Sequence, residues 1–112
     1  MVLIKNKGEI AMNKARRKEL LDIIRGLNTI QDKDDLYSWI NTLDNIKDDE
    51  QDYYDNIPEN LQYSQRAEDS EQAIEHMEEA LYLLNEVYDA DEFDKDSKII
   101  QEAIGKIEEA RW

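Results

Sequence analysis

The sequence predicts an all-α fold: a long antiparallel helical hairpin, similar to a coiled coil, with a short third helix on the C-terminal side. Apolar residues recur every three or four positions over most of the chain, and the only proline, Pro58, interrupts this pattern once. Hydrophobic residues make up 40% and charged residues 38% of the 112 residues, a balance typical of amphipathic helices. Since this length has no room for a second core, we expect one domain over residues 13–112.

The first predicted helix covers residues 13–55. An apolar stripe runs through residues 20–30, and a second one with a changed phase runs through residues 36–46. Polar residues and weak helix formers lie between the two stripes. We therefore expect one long helix, bent near 28–35, with two helices broken there as the main alternative. Residues 1–12 lack a helical period and are predicted to form a disordered extension, with translation often starting at the second methionine.

The predicted corner covers residues 56–63. Pro58 lacks an amide proton and disfavours helical torsions at Ile57, so the first helix should end by about Asn56. Asparagine also tolerates the left-handed geometry that is common just past a helix end. Ser64 is a suitable N-cap for the next helix, because its hydroxyl accepts from free backbone amides. The chain is therefore expected to reverse direction here.

The second predicted helix covers residues 64–89 and has the clearest heptad pattern. Its two core positions are occupied by Ala67, Ser70, Ile74, Met77, Leu81, Leu84 and Tyr88. A last helix is predicted at 97–111, capped by Asp96 or Ser97. Residues 89–96 are compatible with either a loop or a helix.

Two long helices that pair side by side bury one seam each, which is little core for this many ordered residues. We therefore expect self-association, most simply a homodimer that forms a four-helix bundle or an extended coiled coil.

Charge is distributed unevenly along the chain, whose formal net charge is -14. Residues 1–30 carry seven Lys/Arg and three Asp/Glu, whereas residues 31–96 carry four Lys/Arg and twenty-two Asp/Glu. The acidic middle repels nucleic acid, and its natural complement is a protein with a basic surface. The basic residues that open the first helix are expected to be solvated or, alternatively, to contact acidic residues on a neighbouring helix. They are Lys14, Arg16, Arg17 and Lys18.

The sequence contains no recognisable catalytic, cofactor or metal-binding set. Glu71 and Glu86 belong to acidic pairs spaced as in all-helical nucleotide pyrophosphohydrolases, but they would lie ~22 Å apart along one helix. His76 has Ala73 where a di-iron bundle needs glutamate, and the acidic run 89–100 lacks the glycine and glutamate of a calcium loop. There is no cysteine, and no apolar run approaches the ~18 residues of a membrane span. We expect a cytoplasmic protein without enzymatic activity or membrane contact.

Three segments together resemble a known group of proteins. They are the corner Asp55-Asn56-Ile57-Pro58-Glu59-Asn60-Leu61-Gln62, the upstream run Arg16-Arg17-Lys18-Glu19-Leu20, and the acidic heptad helix that follows the corner. This combination is similar to a family of small acidic proteins that phages and prophages of Gram-positive bacteria encode. The resemblance covers roughly residues 13–88 and implies an accessory protein of a phage or mobile element, located in the bacterial cytoplasm.

Three roles follow from these observations. The first is a non-catalytic module that binds a host or phage protein through acidic helix faces or the tyrosine-rich corner. The second is a mimic of nucleic acid that inhibits a DNA- or RNA-binding enzyme, for example in bacterial defence. The third is a structural spacer or assembly part. The candidate partner-binding residues are Tyr53, Tyr54, Asn60, Gln62, Tyr63, Glu68, Glu71, Glu75, Glu78 and Glu79.

Overall fold

The computed structural model describes residues 14–111 and contains four α-helices within that range. They are α1 (Lys14–Leu27), α2 (Lys33–Asp55), α3 (Gln65–Asp89) and α4 (Lys98–Arg111), with a 3₁₀ turn at Glu59–Leu61. The predicted all-α class is confirmed for this part of the chain. The extension 1–12 and the alternative start fall outside the described residues. Among the helices described, none has the length and apolar character needed to cross a bilayer.

The four helices form a ring in which each one packs against the next and α4 closes against α1. Neighbours run antiparallel: Arg16 near the start of α1 contacts Glu50 near the end of α2, with 3.0 Å between Nε and Oε1. At the other end of α1, Gln101 of α4 donates to the side chain of Asn28 at 3.2 Å. The arrangement is an up-down-up-down bundle within one chain, about 50 × 26 × 18 Å in extent. It differs from the predicted long hairpin because α4 folds back beside α3 instead of continuing its line.

The prediction of one continuous helix over residues 13–55 is wrong, and the alternative of two helices is correct. The chain leaves the helix after Leu27, where the Thr29 hydroxyl donates to the carbonyl oxygens of Arg25 and Gly26, both at 3.2 Å. Asp32 then caps α2 by accepting from the backbone N–H of Asp35 at 2.8 Å. These local bonds replace helical ones, so the two apolar stripes of different phase can fold onto each other.

The corner has the predicted bounds but a different turn geometry. At Asn56 the torsions are φ -96° and ψ 3°, so the expected left-handed conformation does not occur. Its side-chain amide instead donates to the carbonyl oxygen of Asp52 at 2.7 Å and satisfies one of the last carbonyls of α2. Pro58 is extended, and Ser64 caps α3 as predicted by accepting from the N–H of Ala67 at 3.2 Å.

The heptad pattern of α3 faces the core. Every predicted core position is buried except that of Tyr88, which is half-buried beside Tyr37 of α2. The segment between α3 and α4, which the sequence left open, is a non-helical connection whose Phe93 packs against the core. Ser97 at its end accepts from the N–H of Ile99 at 3.2 Å, in line with the predicted cap.

Gly26 permits a close approach between α1 and the side chain of Trp39 on α2. A Cβ atom placed there would overlap the indole ring of Trp39, whereas one placed at Gly105 in α4 would meet nothing within 4 Å. The half-buried indole therefore lies directly on the backbone of α1. Only glycine leaves room for this contact, because an indole ring cannot shift as easily as the end of a flexible side chain.

Candidate functional site

The corner between α2 and α3 contains a partly open cavity of about 330 Å³. Its lining residues are Tyr53, Asn56, Ile57, Pro58, Leu61, Ser64 and Arg66. Four of these contribute apolar surface, and Ile57 is buried beneath the turn. Pro58 and the 3₁₀ turn connect the end of α2 to the start of α3, and residues of both helices and of the connection line the cavity. We call the space that these seven residues line the corner cavity.

The most exposed large side chains of the corner lie beside this cavity. Tyr63 is 98% exposed and Leu61 is 45% exposed. The neighbouring polar residues Asn60 and Gln62 are also exposed. Tyr63 immediately precedes the cap of α3, where the helix fixes the backbone but offers its side chain no neighbour to cover it. The corner thus presents an aromatic and an aliphatic group to solvent on a short, structured segment.

Tyr54 has a different position and joins the two helices below the tip. Its hydroxyl donates to Oε2 of Glu71 at 3.4 Å, so that the two predicted site residues form one contact. The negative charge of Glu71 raises the pKa of Tyr54 above its usual value, with smaller contributions from desolvation and from the hydrogen bond itself. A phenol that donates to a carboxylate is a brace between α2 and α3 at neutral pH.

A buried polar network supports the corner from inside the bundle. Glu50 is 1% exposed and accepts hydrogen bonds from Arg16 of α1 and from the hydroxyl of Ser70 in α3. The guanidinium of Arg16 also lies 5.9 Å from the ring centre of Tyr53, within range of a cation–π interaction. The contact between Arg16 and Glu50 agrees with the alternative predicted for the basic residues of the first helix. Lys14, Arg17 and Lys18 are exposed instead. Three helices are thereby fixed relative to Tyr53.

The predicted acidic residues of α3 all lie on its solvent-exposed side and follow the helix away from the corner. They are Glu68, Glu71, Glu75, Glu78 and Glu79. Glu79 lies 3.6 Å from Nζ of Lys106 on α4, so its charge is partly compensated, and it also lies 3.4 Å from Nδ1 of His76. A cleft of about 410 Å³ between α3 and α4 collects three of these carboxylates beside Tyr82, which is 69% exposed. The candidate residues therefore form two surfaces, the tip of the corner and the outer side of α3.

The predicted site residues did not include Leu61, Ile57 or Arg66, which line the corner cavity. Leu61 is an isolated apolar residue in a polar segment with no heptad partner, and that isolation was the available signal for an exposed side chain. The presence of two apolar residues, Ile57 and Leu61, on either side of Pro58 was a second signal, which indicated apolar surface at this turn. Nothing in the sequence indicated that Arg66 would turn towards the cavity.

The described residues contain no group of three or more His, Cys, Asp or Glu side chains suited to hold a metal ion. Comparison with known proteins finds no matching family model, curated protein or solved structure.

Proposed function

We propose that this chain is a protein-binding accessory module of a phage or mobile element that recognises its partner with the corner between α2 and α3. The observation that carries the proposal is Tyr63, 98% exposed next to Leu61 and the corner cavity. Tyrosine buries a large apolar ring and offers a hydroxyl at little entropic cost, which is why it is enriched at binding hot spots. The mobile-element context rests on the sequence resemblance.

The charge around the corner supports a partner with a basic surface. Asp52, Asp55 and Glu59 are exposed around the tip, and α2 and α3 together carry sixteen Asp/Glu against three Lys/Arg. A field of one sign accelerates the encounter with an oppositely charged surface, while the apolar tip contributes to the lifetime of the complex. The role of the carboxylates is therefore steering, and the role of Tyr63 and Leu61 is anchoring.

The test uses the tagged protein as bait in lysate of the host, followed by binding measurements with the purified partner. We expect Tyr63→Ser and Leu61→Ser to weaken binding of that partner at least about tenfold, as is usual for hot-spot residues. Tyr37→Ser is the matched control, because Tyr37 is 50% exposed and lies near the start of α2, at the other end of that helix from the corner. A partner that binds both corner variants as tightly as the native protein would contradict the proposal.

A second candidate function, mimicry of nucleic acid, is favoured by the row of carboxylates along α3. Successive glutamates at positions 68, 71, 75 and 78 are three or four residues apart, so they rise by roughly 4.5–6 Å each along the axis. A basic groove that binds phosphates would accept such a row. In this case duplex DNA would compete with the protein for its partner, the affinity would fall steeply with salt, and Tyr63→Ser would have little effect.

A further inference from the structure

Two exposed stripes of the bundle have the same spacing and opposite charge. The basic stripe on α1 consists of Lys14, Lys18, Leu21 and Arg25, and the acidic stripe on α3 consists of Glu75, Glu79, Tyr82 and Glu86. Each stripe advances by four, three and four residues, which keeps its members on one side of a helix over ~16 Å. In both stripes the third position is the one that is not charged.

Both stripes are available at the surface. The charged members are exposed, Leu21 is half-buried, and Tyr82 is 69% exposed. Leu21 lines a cleft of about 700 Å³ together with basic side chains of α1 and with Arg111, so an apolar floor lies between cations. Tyr82 and half-buried Leu83 have the corresponding position between carboxylates in the cleft that α3 forms with α4.

We infer that the basic stripe of one copy of this protein packs on the acidic stripe of a second copy, with the two helices parallel. In this register Lys14 faces Glu75, Lys18 faces Glu79 and Arg25 faces Glu86. Leu21 then meets Tyr82, so the apolar pair is enclosed by ion pairs on both sides. In the antiparallel alignment Leu21 faces Glu79 instead, so Leu21 and Tyr82 do not contact each other.

The charge balance of the two helices agrees with this pairing. α1 carries five Lys/Arg and two Asp/Glu, whereas α3 carries eight Asp/Glu and one Lys/Arg. Glu79 already has Lys106 as a neighbour at 3.6 Å, so Glu75 and Glu86 contribute most of the attraction. Exposed ion pairs contribute little individually, and the net charge of -14 opposes association, so the contact is weak and depends on concentration.

The position of the stripes in the bundle determines the kind of assembly. α1 and α3 each pack against α2 and α4 and are therefore diagonal to each other. Arg16 of α1 and Ser70 of α3 both contact Glu50 and therefore lie at the same level of the bundle, whereas the register pairs Lys14 with Glu75. This register shifts neighbouring copies along the bundle axis, so two copies cannot use both stripes of both chains at once. The contact is head-to-tail, and association continues beyond two copies to an open row. Because α1 and α3 run parallel within one chain, neighbouring copies have the same orientation.

The test is a charge swap followed by sedimentation velocity over a range of protein concentrations. One variant carries Lys14→Glu and Arg25→Glu, and the other carries Glu75→Lys and Glu86→Lys. For the native protein we expect the average mass to rise above that of a monomer as concentration increases. Each variant alone should associate at least about tenfold more weakly, because attraction becomes repulsion at two positions. A 1:1 mixture of the two variants should restore association, since opposite charges face each other again.

Lys95→Glu with Lys98→Glu is the matched control, because both residues are exposed, lie off the stripes, and change the net charge as much as the first variant does. It should associate as the native protein does. Circular dichroism before sedimentation establishes that each variant is helical. Three results would overturn the inference: a native protein that stays monomeric into the millimolar range, swap variants that associate like the native protein, or a mixture that fails to restore association.

Discussion

Replacement of Arg16 by methionine should destabilise the fold through Glu50, the buried carboxylate that it contacts. The Glu50 side chain is 2% exposed and that of Arg16 is 18% exposed. Methionine preserves much of the aliphatic stem of arginine but removes the charge. Removal of one partner of a buried ion pair typically costs ~3–5 kcal/mol, because the other charge stays buried.

The expected loss lies below that range. Ser70 continues to donate to Glu50, and solvent reaches the partly exposed position of the guanidinium. We therefore expect the free energy of unfolding to fall by about 2 kcal/mol, which lowers the melting temperature by roughly 10 °C in a domain of this size. Thermal and urea unfolding, followed by circular dichroism at neutral pH, measure the change.

Arg17→Met is the matched control, because Arg17 carries the same charge one position further along α1 and is exposed. It should change the stability by no more than about 0.5 kcal/mol. Glu50→Met in the Arg16→Met background removes the stranded charge and should recover much of the loss. The reasoning would be refuted by equal stabilities of the Arg16→Met and Arg17→Met proteins, or by a double variant less stable than Arg16→Met alone.

Gly26→Ala should destabilise the bundle by about 1–3 kcal/mol, because its Cβ overlaps the indole of Trp39. Gly105→Ala is its control and should be neutral or stabilising by up to ~1 kcal/mol, since that Cβ enters open space on a helix; chemical unfolding compares the two. Glu71→Gln should lower the pKa of Tyr54 towards its usual value, as followed by NMR of tyrosine ring carbons during a pH titration. Since the pKa of Tyr54 is raised in the folded protein, its contact with Glu71 stabilises the fold at pH values below the pKa of an unfolded tyrosine. This stabilisation is lost as the pH rises through the pKa of the folded protein. An unchanged Tyr54 titration in the variant would contradict this reasoning.

The features predicted correctly from the sequence depend on local periodicity or on single residues with strong backbone preferences. The core of α3 followed from heptad spacing, and the corner followed from Pro58 and Ser64. These signals are local, because the energetic preference is contained in a few consecutive residues.

The features that were missed depend on contacts between distant parts of the chain. At the break after Leu27, weak helix formers are followed by a polar run, a pattern that is equally compatible with a bend. The packing of α1 on α2 decides between the two outcomes. Glu50 lies in a strongly acidic run, and its charge concealed the fact that it continues the apolar stripe of α2 seven residues after Leu43. Its partners are 34 residues before it and 20 residues after it.

For the candidate site, the sequence identified the right segment but not its shape. Tyr53 and Tyr54 were grouped with Tyr63 by residue type, yet the first two are half-buried where α2 meets α1 and α3, and the third stands in solvent. Aromatic residues in a turn have similar intrinsic preferences, so their exposure is set by which helix end lies beneath them.

The closure of the ring by α1 and α4 has a consequence for how the chain folds. Contacts between consecutive helices join residues near in sequence, whereas those between α1 and α4 join residues as far apart as Arg17 and Arg111. Short-range contacts form early because little chain entropy is lost, so the three consecutive antiparallel pairs should assemble quickly and α4 should dock on α1 last. Substitutions at that final seam would then accelerate unfolding while leaving the refolding rate nearly unchanged.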